Sequence, residues 1–139
     1  MSVVFMKDGI QKIIDGGGGL VGPIIVRLFQ NNFTPTKGDT IAAYVEATFS
    51  GYVAGGNNAG PMGGDVWDAA LFVWTQQAAQ VTFTVGAGGV PNMIYGAYWV
   101  DSGGKLLAAE RFAGAPINMN TVGFAITYTP TQTAESKFG

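Results

Sequence analysis

Apolar and polar residues alternate with a period of two in several segments after Pro23. The alternation is clearest over residues 80–85 and 121–129, where every second residue is apolar. A period of two places successive side chains on opposite faces of a strand, so each segment predicts a strand with one buried face. The residues predicted to face the core are Val81, Phe83, Val122, Phe124, Ile126 and Tyr128.

Other segments have strand composition without a clean alternation. Residues 24–29, 46–53 and 69–76 are rich in β-branched and aromatic residues, and residues 55–64 contain the Gly, Asn and Pro of a long polar loop. We expect residues 69–76 and 80–85 to form a hairpin across residues 77–79.

A second hairpin is predicted between residues 93 and 112, because two apolar runs flank the turn sequence Asp-Ser-Gly-Gly at residues 101–104. Trp99 lies within the first run and is assigned to the core. Tyr98 then points to the opposite face, where a neighbouring molecule is expected to cover it.

Seven or eight short strands without helical crossovers predict an all-β fold, either an antiparallel β-sandwich or a jelly roll. The exception is the N-terminus, where Asp8 and the isoleucines that follow it predict a short helix that ends at Gly16. We therefore expect an N-terminal arm over residues 1–22, with a glycine-rich joint, and a single β-sandwich domain over residues 23–139.

Charged residues make up only 12% of the 139 residues, about half of the roughly 25% typical of soluble domains. No apolar run is long enough to cross a bilayer. A chain with so few charges is expected to cover part of its surface with other protein. The predicted interface residues are Phe5, Leu20, Val21, Trp67, Phe72, Trp74 and Tyr98.

Catalytic and metal-binding chemistry is restricted because the chain has no histidine and no cysteine. Nucleophiles activated by histidine and thiolate metal sites are therefore excluded. Asp101 and Glu110 lie on the order of 15 Å apart along the predicted hairpin, too far for a glycosidase pair. The loop near Asp65 and Asp68 offers only these two acidic ligands, which is too few for a strong calcium site. We predict no enzyme activity, no metal and no cofactor.

A net charge of −2 without clustered lysine or arginine in the sequence argues against nucleic acid and membranes as partners. The N-terminus lacks the pattern of an export signal, so synthesis and retention in a cytoplasm are expected.

Two parts of the chain resemble a family of small β-rich, virion-associated proteins of tailed bacteriophages, the decoration or tail accessory proteins. The first part is Val-Arg-Leu-Phe-Gln-Asn-Asn-Phe-Thr-Pro-Thr at residues 26–36, followed by Tyr-Val-Glu-Ala-Thr-Phe-Ser-Gly-Tyr at residues 44–52. The second is Tyr-Gly-Ala-Tyr-Trp-Val-Asp-Ser-Gly-Gly-Lys-Leu-Leu-Ala-Ala-Glu-Arg-Phe at residues 95–112, with Pro116 and Met119. The resemblance covers about residues 24–129 and implies a structural role in a virion, without distinguishing head from tail.

Three functions follow as hypotheses. The first is a capsid decoration or cement protein that packs on the major capsid protein as a symmetric homo-oligomer, for which a trimer suits threefold positions. The second is a tail fibre or baseplate adaptor bound to a tail protein. The third is a carbohydrate-binding module that uses exposed aromatic residues as a stacking platform. The first two place the protein in the virion, after synthesis in the host cytoplasm.

Overall fold

Antiparallel strands dominate the computed structural model, which describes residues 3–15, 22–70 and 73–135. Within these ranges lie twelve strands, one α-helix and one turn of 3₁₀ helix. The elements are β1 (Val4–Phe5), α1 (Lys7–Asp15), β2 (Ile24–Phe29), the 3₁₀ turn (Ile41–Ala43), β3 (Asn57–Gly60), β4 (Gly63–Asp68), β5 (Val73–Gln77), β6 (Val81–Thr84), β7 (Asn92–Ile94), β8 (Gly96–Val100), β9 (Leu106–Arg111), β10 (Ile117–Met119), β11 (Ala125–Tyr128) and β12 (Thr131–Glu135).

The largest sheet has the order β1-β9-β8-β2-β3, with every neighbouring pair antiparallel. Its centre is the hairpin β8–β9, which confirms the hairpin predicted across residues 101–104. The turn closes with Gly104 at a φ of 82°, a left-handed conformation that glycine adopts without strain. Three smaller sheets pair β10 with β7, β11 with β6, and β12 with β5 and β4. The all-β fold is thus confirmed.

The main core lies between one face of the five-stranded sheet and the pairs β6–β11 and β7–β10, in a sandwich-like arrangement. Trp99 is fully buried there, and its indole N–H donates a hydrogen bond to the Tyr128 hydroxyl at 2.9 Å. The predicted core residues Val81, Phe83, Ile126 and Tyr128 are also buried. Strand alternation therefore identified the inner face of the β6–β11 pair.

The second face of the five-stranded sheet is covered by the chain itself. Tyr98 is only 2% exposed, and Tyr44 from the connection between β2 and β3 stacks on it with ring centroids 5.0 Å apart. Phe29 and Phe33 pack edge-on against Tyr44. The prediction that Tyr98 contacts a neighbouring molecule is wrong, because a loop distant in sequence already buries it.

The N-terminal segment belongs to the same sheet instead of forming a separate arm. Val4 and Phe5 pair with Ala109 and Ala108 of β9, and Phe5 packs edge-on against Trp99 at 5.6 Å. The predicted arm over residues 1–22 is therefore wrong for residues 3–15, and Phe5 contacts the chain's own core. Leu20 and Val21 lie outside the described residues.

Helix α1 approaches β9 closely at Gly9, which is buried. A Cβ atom at this position would overlap the backbone carbonyl of Leu107. Gly9→Ala is therefore expected to lower the free energy of unfolding by about 1–3 kcal/mol, although alanine favours a helix more than glycine does. Denaturant unfolding measures the difference.

Gly38→Ala is the matched control, because a Cβ there meets no atom within 4 Å. We expect it to change stability by less than about 0.5 kcal/mol. Equal losses in the two variants would contradict the proposed close approach of helix and strand.

Asp101 joins the β8–β9 turn to helix α1. Its carboxylate accepts hydrogen bonds from the backbone N–H groups of Gly103 and Lys105, each at 2.9 Å, and lies 3.3 Å from the Lys12 ammonium. Burial by itself would raise the pKa of Asp101, but the Lys105 N–H, the Lys12 charge and the Gly103 N–H together hold it below the ordinary value of 3.8. The ionised form is therefore the one that stabilises the fold.

A group with a lowered folded pKa stabilises the protein above its unfolded pKa, and that contribution is lost as the pH falls through the folded value. Asp101→Asn should lower stability at pH 7 by about 1–2 kcal/mol, because charge-assisted hydrogen bonds become neutral ones. The difference from the wild type should shrink as the pH falls below 3.8 and through the lowered folded pKa of Asp101, because the ionised form is then lost. Thermal unfolding from pH 7 to pH 2 tests this, and a difference that persists unchanged at pH 2 would contradict it.

Several predicted strands have different partners or bounds in the structure. Residues 46–53 form only a bridge between Glu46 and Phe29, because the chain turns at residues 50–51, where Gly51 has a φ of 94°. The predicted loop over residues 55–64 contains β3, which pairs with β2.

The predicted hairpin across residues 77–79 is wrong, since β5 pairs with β4 and β12 while β6 pairs with β11. A long strand predicted from residue 94 is divided at Tyr95 into β7 and β8, so the described strands outnumber the seven or eight expected.

Candidate functional site

Charged residues are absent from three long stretches of the sequence, residues 47–64, 69–100 and 112–134. Strands β6, β7, β10 and β11 all lie within these stretches. The layer that packs on the five-stranded sheet therefore contains no charged residue. The overall composition gives only the low total charge, whereas the positions of the charged residues along the sequence also give this uneven distribution.

The outer side of the β6–β11 pair is exposed and neutral. Its two strands face each other with Thr82 opposite Thr127 and Thr84 opposite Ala125, and these four side chains are exposed. Hydroxyl and methyl groups are therefore the only side-chain groups that this face offers to a neighbour. Such groups lose little hydration free energy on burial compared with an ionised side chain.

Three loops meet at one end of this layer. The backbone of Gly86 donates to the Ser50 carbonyl at 2.7 Å, and the Ser50 N–H donates to the Val90 carbonyl at 3.0 Å. The Val85 N–H donates to the Phe124 carbonyl at 2.8 Å. Main-chain hydrogen bonds thus hold the loops around residues 50, 85–90 and 121–124 next to one another.

Large apolar side chains are exposed on these loops. Val122 is 67% exposed, Val90 50% and Phe124 44%. The predicted core positions of Val122 and Phe124 are wrong, because β11 begins only at Ala125 and Gly123, with a φ of 89°, places residues 121–124 in a turn. We define the neutral surface as the outer side of β6–β11 together with these loop side chains: Thr82, Thr84, Ala125, Thr127, Val90, Val122 and Phe124.

The loop after residue 50 is held in place by a polar network on its other side. One oxygen of the Glu46 carboxylate accepts hydrogen bonds from the Tyr52 hydroxyl and the Gly55 N–H, each at 2.8 Å, and lies 4.0 Å from Arg27 Nε. Burial and the adjacent Glu46 charge raise the pKa of Tyr52, whose ring also stacks on Phe83 at 5.8 Å. These charges bind one another within the chain, which orders the loop that borders the neutral surface.

The interface residues predicted from the sequence are not brought together. Trp67 is 40% exposed on β4, in the sheet β12-β5-β4, and does not belong to the neutral surface. Phe72 lies outside the described residues, and so does the side chain of Trp74. Trp99 and Tyr98 are buried on opposite faces of β8. The aromatic platform considered for sugar binding is therefore not assembled from these two residues.

Neither a metal cluster nor a membrane-spanning helix is found in the described ranges. No three acidic side chains gather there in a way that could hold an ion. Helix α1, the one α-helix in those ranges, is too short to cross a bilayer.

The fold and this surface define the chain as a small antiparallel all-β protein with a neutral exposed layer. No protein-family model matches it, and neither a curated protein nor a solved structure matches it.

Proposed function

We propose that this protein is a structural component of a virion that binds neighbouring protein through its neutral surface. The observation that carries the proposal is the exposed layer without charged residues, which ends in Val90, Val122 and Phe124. The buried centre of a protein interface is depleted of charged residues and enriched in aromatic ones. The neutral surface contains no charged residue and includes the aromatic side chain of Phe124, so its burial costs little desolvation.

Within that class we propose a capsid decoration or cement protein that packs as a symmetric homo-oligomer on the major capsid protein. A trimer would suit threefold positions of a shell. The resemblance of residues 24–129 to virion-associated phage proteins supports a place in the particle. The neutral layer and the five-stranded sheet differ in charge, because Arg27 and Arg111 lie on the sheet. This difference supports two kinds of contact, of which tight packing suits the neutral layer.

The test is to locate the chain on purified virions by immunogold labelling and by cryo-electron microscopy. Label in a regular pattern on the head is the expected result. Label on the tail would replace the decoration role with that of a tail fibre or baseplate adaptor. Particles that contain no copy of the chain would overturn both.

A carbohydrate-binding role is less compatible with the geometry. Trp67 and Phe124 are exposed, but they lie in different sheets, on β4 and beside β11. A stacking platform built from several aromatic residues requires them to share one surface, which these two do not. The neutral surface, with its threonine hydroxyls and aliphatic side chains, resembles a protein contact more closely.

A further inference from the structure

A cavity of about 500 Å³ lies away from the neutral surface. It is formed where three segments meet: the junction of β1 with α1, the loop of residues 37–41, and the end of the β8–β9 turn. Its lining contains none of the residues that define the neutral surface. The cavity is therefore independent of the surface proposed for assembly.

Three lysines line this cavity, one from each segment: Lys7, Lys37 and Lys105. The whole chain has only seven lysine and arginine residues, so the cavity gathers a large share of its positive charge. The salt bridges of the described residues involve Lys12 and Arg27, so none of the three cavity lysines is neutralised by a described carboxylate within 4.0 Å. Three lysines around one cavity favour an anion there when they outnumber the carboxylates of the same lining.

Two carboxylates, Asp8 and Asp39, also line the cavity and would repel an anion. This repulsion is reduced at Asp39 by its hydrogen bonds. Asp39 accepts hydrogen bonds from the Thr36 N–H at 2.8 Å, the Thr36 hydroxyl at 2.6 Å and the Tyr44 hydroxyl at 2.7 Å. Its charge is therefore spread over three donors that order the loop. Asp8 is exposed, as the three lysines are. The three ammonium groups outnumber the two carboxylates, and the lining is net positive.

The remainder of the lining is partly apolar. Met6 and Leu106 are buried, Ile41 is 38% exposed, and Thr40 adds a hydroxyl group. Ligand sites of about 300–1,000 Å³ commonly combine an apolar lining with a few convergent polar groups. This cavity combines apolar side chains with three ammonium groups, two carboxylates and a hydroxyl.

We propose that the cavity binds a small anion that carries phosphate groups. Lysine provides a compact point charge with three donors and is a common phosphate ligand, whereas planar carboxylates are usually bound by the fork of arginine, which is absent from this lining. Phosphate could be presented alone or on a molecule whose apolar part rests on Met6 and Leu106. Both sources share the same lysine contacts.

The test measures binding of inorganic pyrophosphate and of adenosine diphosphate to the full chain by isothermal titration calorimetry at low salt. We expect saturable binding of pyrophosphate that weakens at least about 5-fold when the salt rises to about 200 mM. Tighter binding of adenosine diphosphate than of pyrophosphate would indicate that the apolar side chains of Met6 and Leu106 contribute. Equal affinities would indicate that the phosphate groups alone are recognised. Each of these two results supports the cavity as the site.

The double variant Lys37→Gln/Lys105→Gln should bind pyrophosphate at least about 10-fold more weakly, since two of the three charges are lost. The control is Gln80→Glu/Asn118→Glu, which lowers the net charge by the same amount at exposed positions outside the lining. It should retain affinity within about 2-fold. Thermal unfolding of both variants verifies that they are folded.

Absence of saturable binding up to about 10 mM pyrophosphate would overturn the proposal, because a specific site should bind well below that concentration. Equal losses in the two double variants would also overturn it, because they would reveal an effect of net charge alone. Neither result would affect the proposed assembly role, which rests on different residues.

Discussion

Replacing Val122 and Phe124 together by aspartate is expected to abolish self-association while leaving the fold intact. Both side chains are exposed, so their substitution removes little from the core. In an assembled state they would be buried, and two carboxylates without partners would then have to lose their hydration. We expect the dissociation constant of the oligomer to rise by on the order of 100-fold or more, equivalent to about 3 kcal/mol.

Light scattering coupled to size exclusion, over a range of protein concentrations, measures this effect. Val66→Asp is the matched control, because Val66 is 61% exposed on β4 but lies outside the neutral surface. It should self-associate like the wild type. A wild type that stays monomeric at high concentration and does not bind virions would remove the basis for the proposed function.

Trp99→Ala is expected to cause the largest loss of stability of any single substitution proposed here. The indole is fully buried, packs against the edge of Phe5 and donates to the Tyr128 hydroxyl. That hydroxyl in turn donates to Glu110 at 2.9 Å, so the substitution also removes a donor to a buried tyrosine. Removing a buried tryptophan costs about 3–5 kcal/mol, which corresponds to a fall in Tm of about 10–20 °C.

Thermal unfolding followed by circular dichroism provides the measurement. Trp67→Ala removes the same side chain at a position that is 40% exposed, and should cost less than about 1 kcal/mol. The comparison separates burial from residue type. Similar losses in the two variants would contradict the assignment of Trp99 to the centre of the core.

The segments predicted best are those whose structure depends on neighbours in sequence. The predicted strand over residues 24–29 coincides with β2, and the β8–β9 hairpin follows from two apolar runs and a glycine turn. Helix α1 spans Lys7–Asp15, close to the predicted helix, because the spacing of its isoleucines is a local signal. Asp8, predicted to cap the helix, lies instead within its first turn. Such signals act over a few residues and require no knowledge of the fold.

The predictions that were wrong depend on distant partners. Residues 57–60 form a strand despite a loop-like composition, because β2 offers a free edge for pairing. Tyr98 is buried because Tyr44, far away in the sequence, stacks on it. Val122 and Phe124 belong to the alternation of apolar and polar residues over residues 121–129, but they precede the first residue of β11 and are exposed. Periodicity describes a strand and does not locate its end.

By itself, the sequence determined that the protein is all-β, that its charges are few, and that histidine and cysteine chemistry is absent, since these follow from composition and local pattern. Only the tertiary structure decided which apolar side chains are exposed and which charges meet. Val90 and Phe124 share a surface, and Lys7, Lys37 and Lys105 share a cavity, because strand pairing brings segments together that the chain keeps far apart. Such proximity is a property of long-range contacts, and no local pattern of residues encodes it.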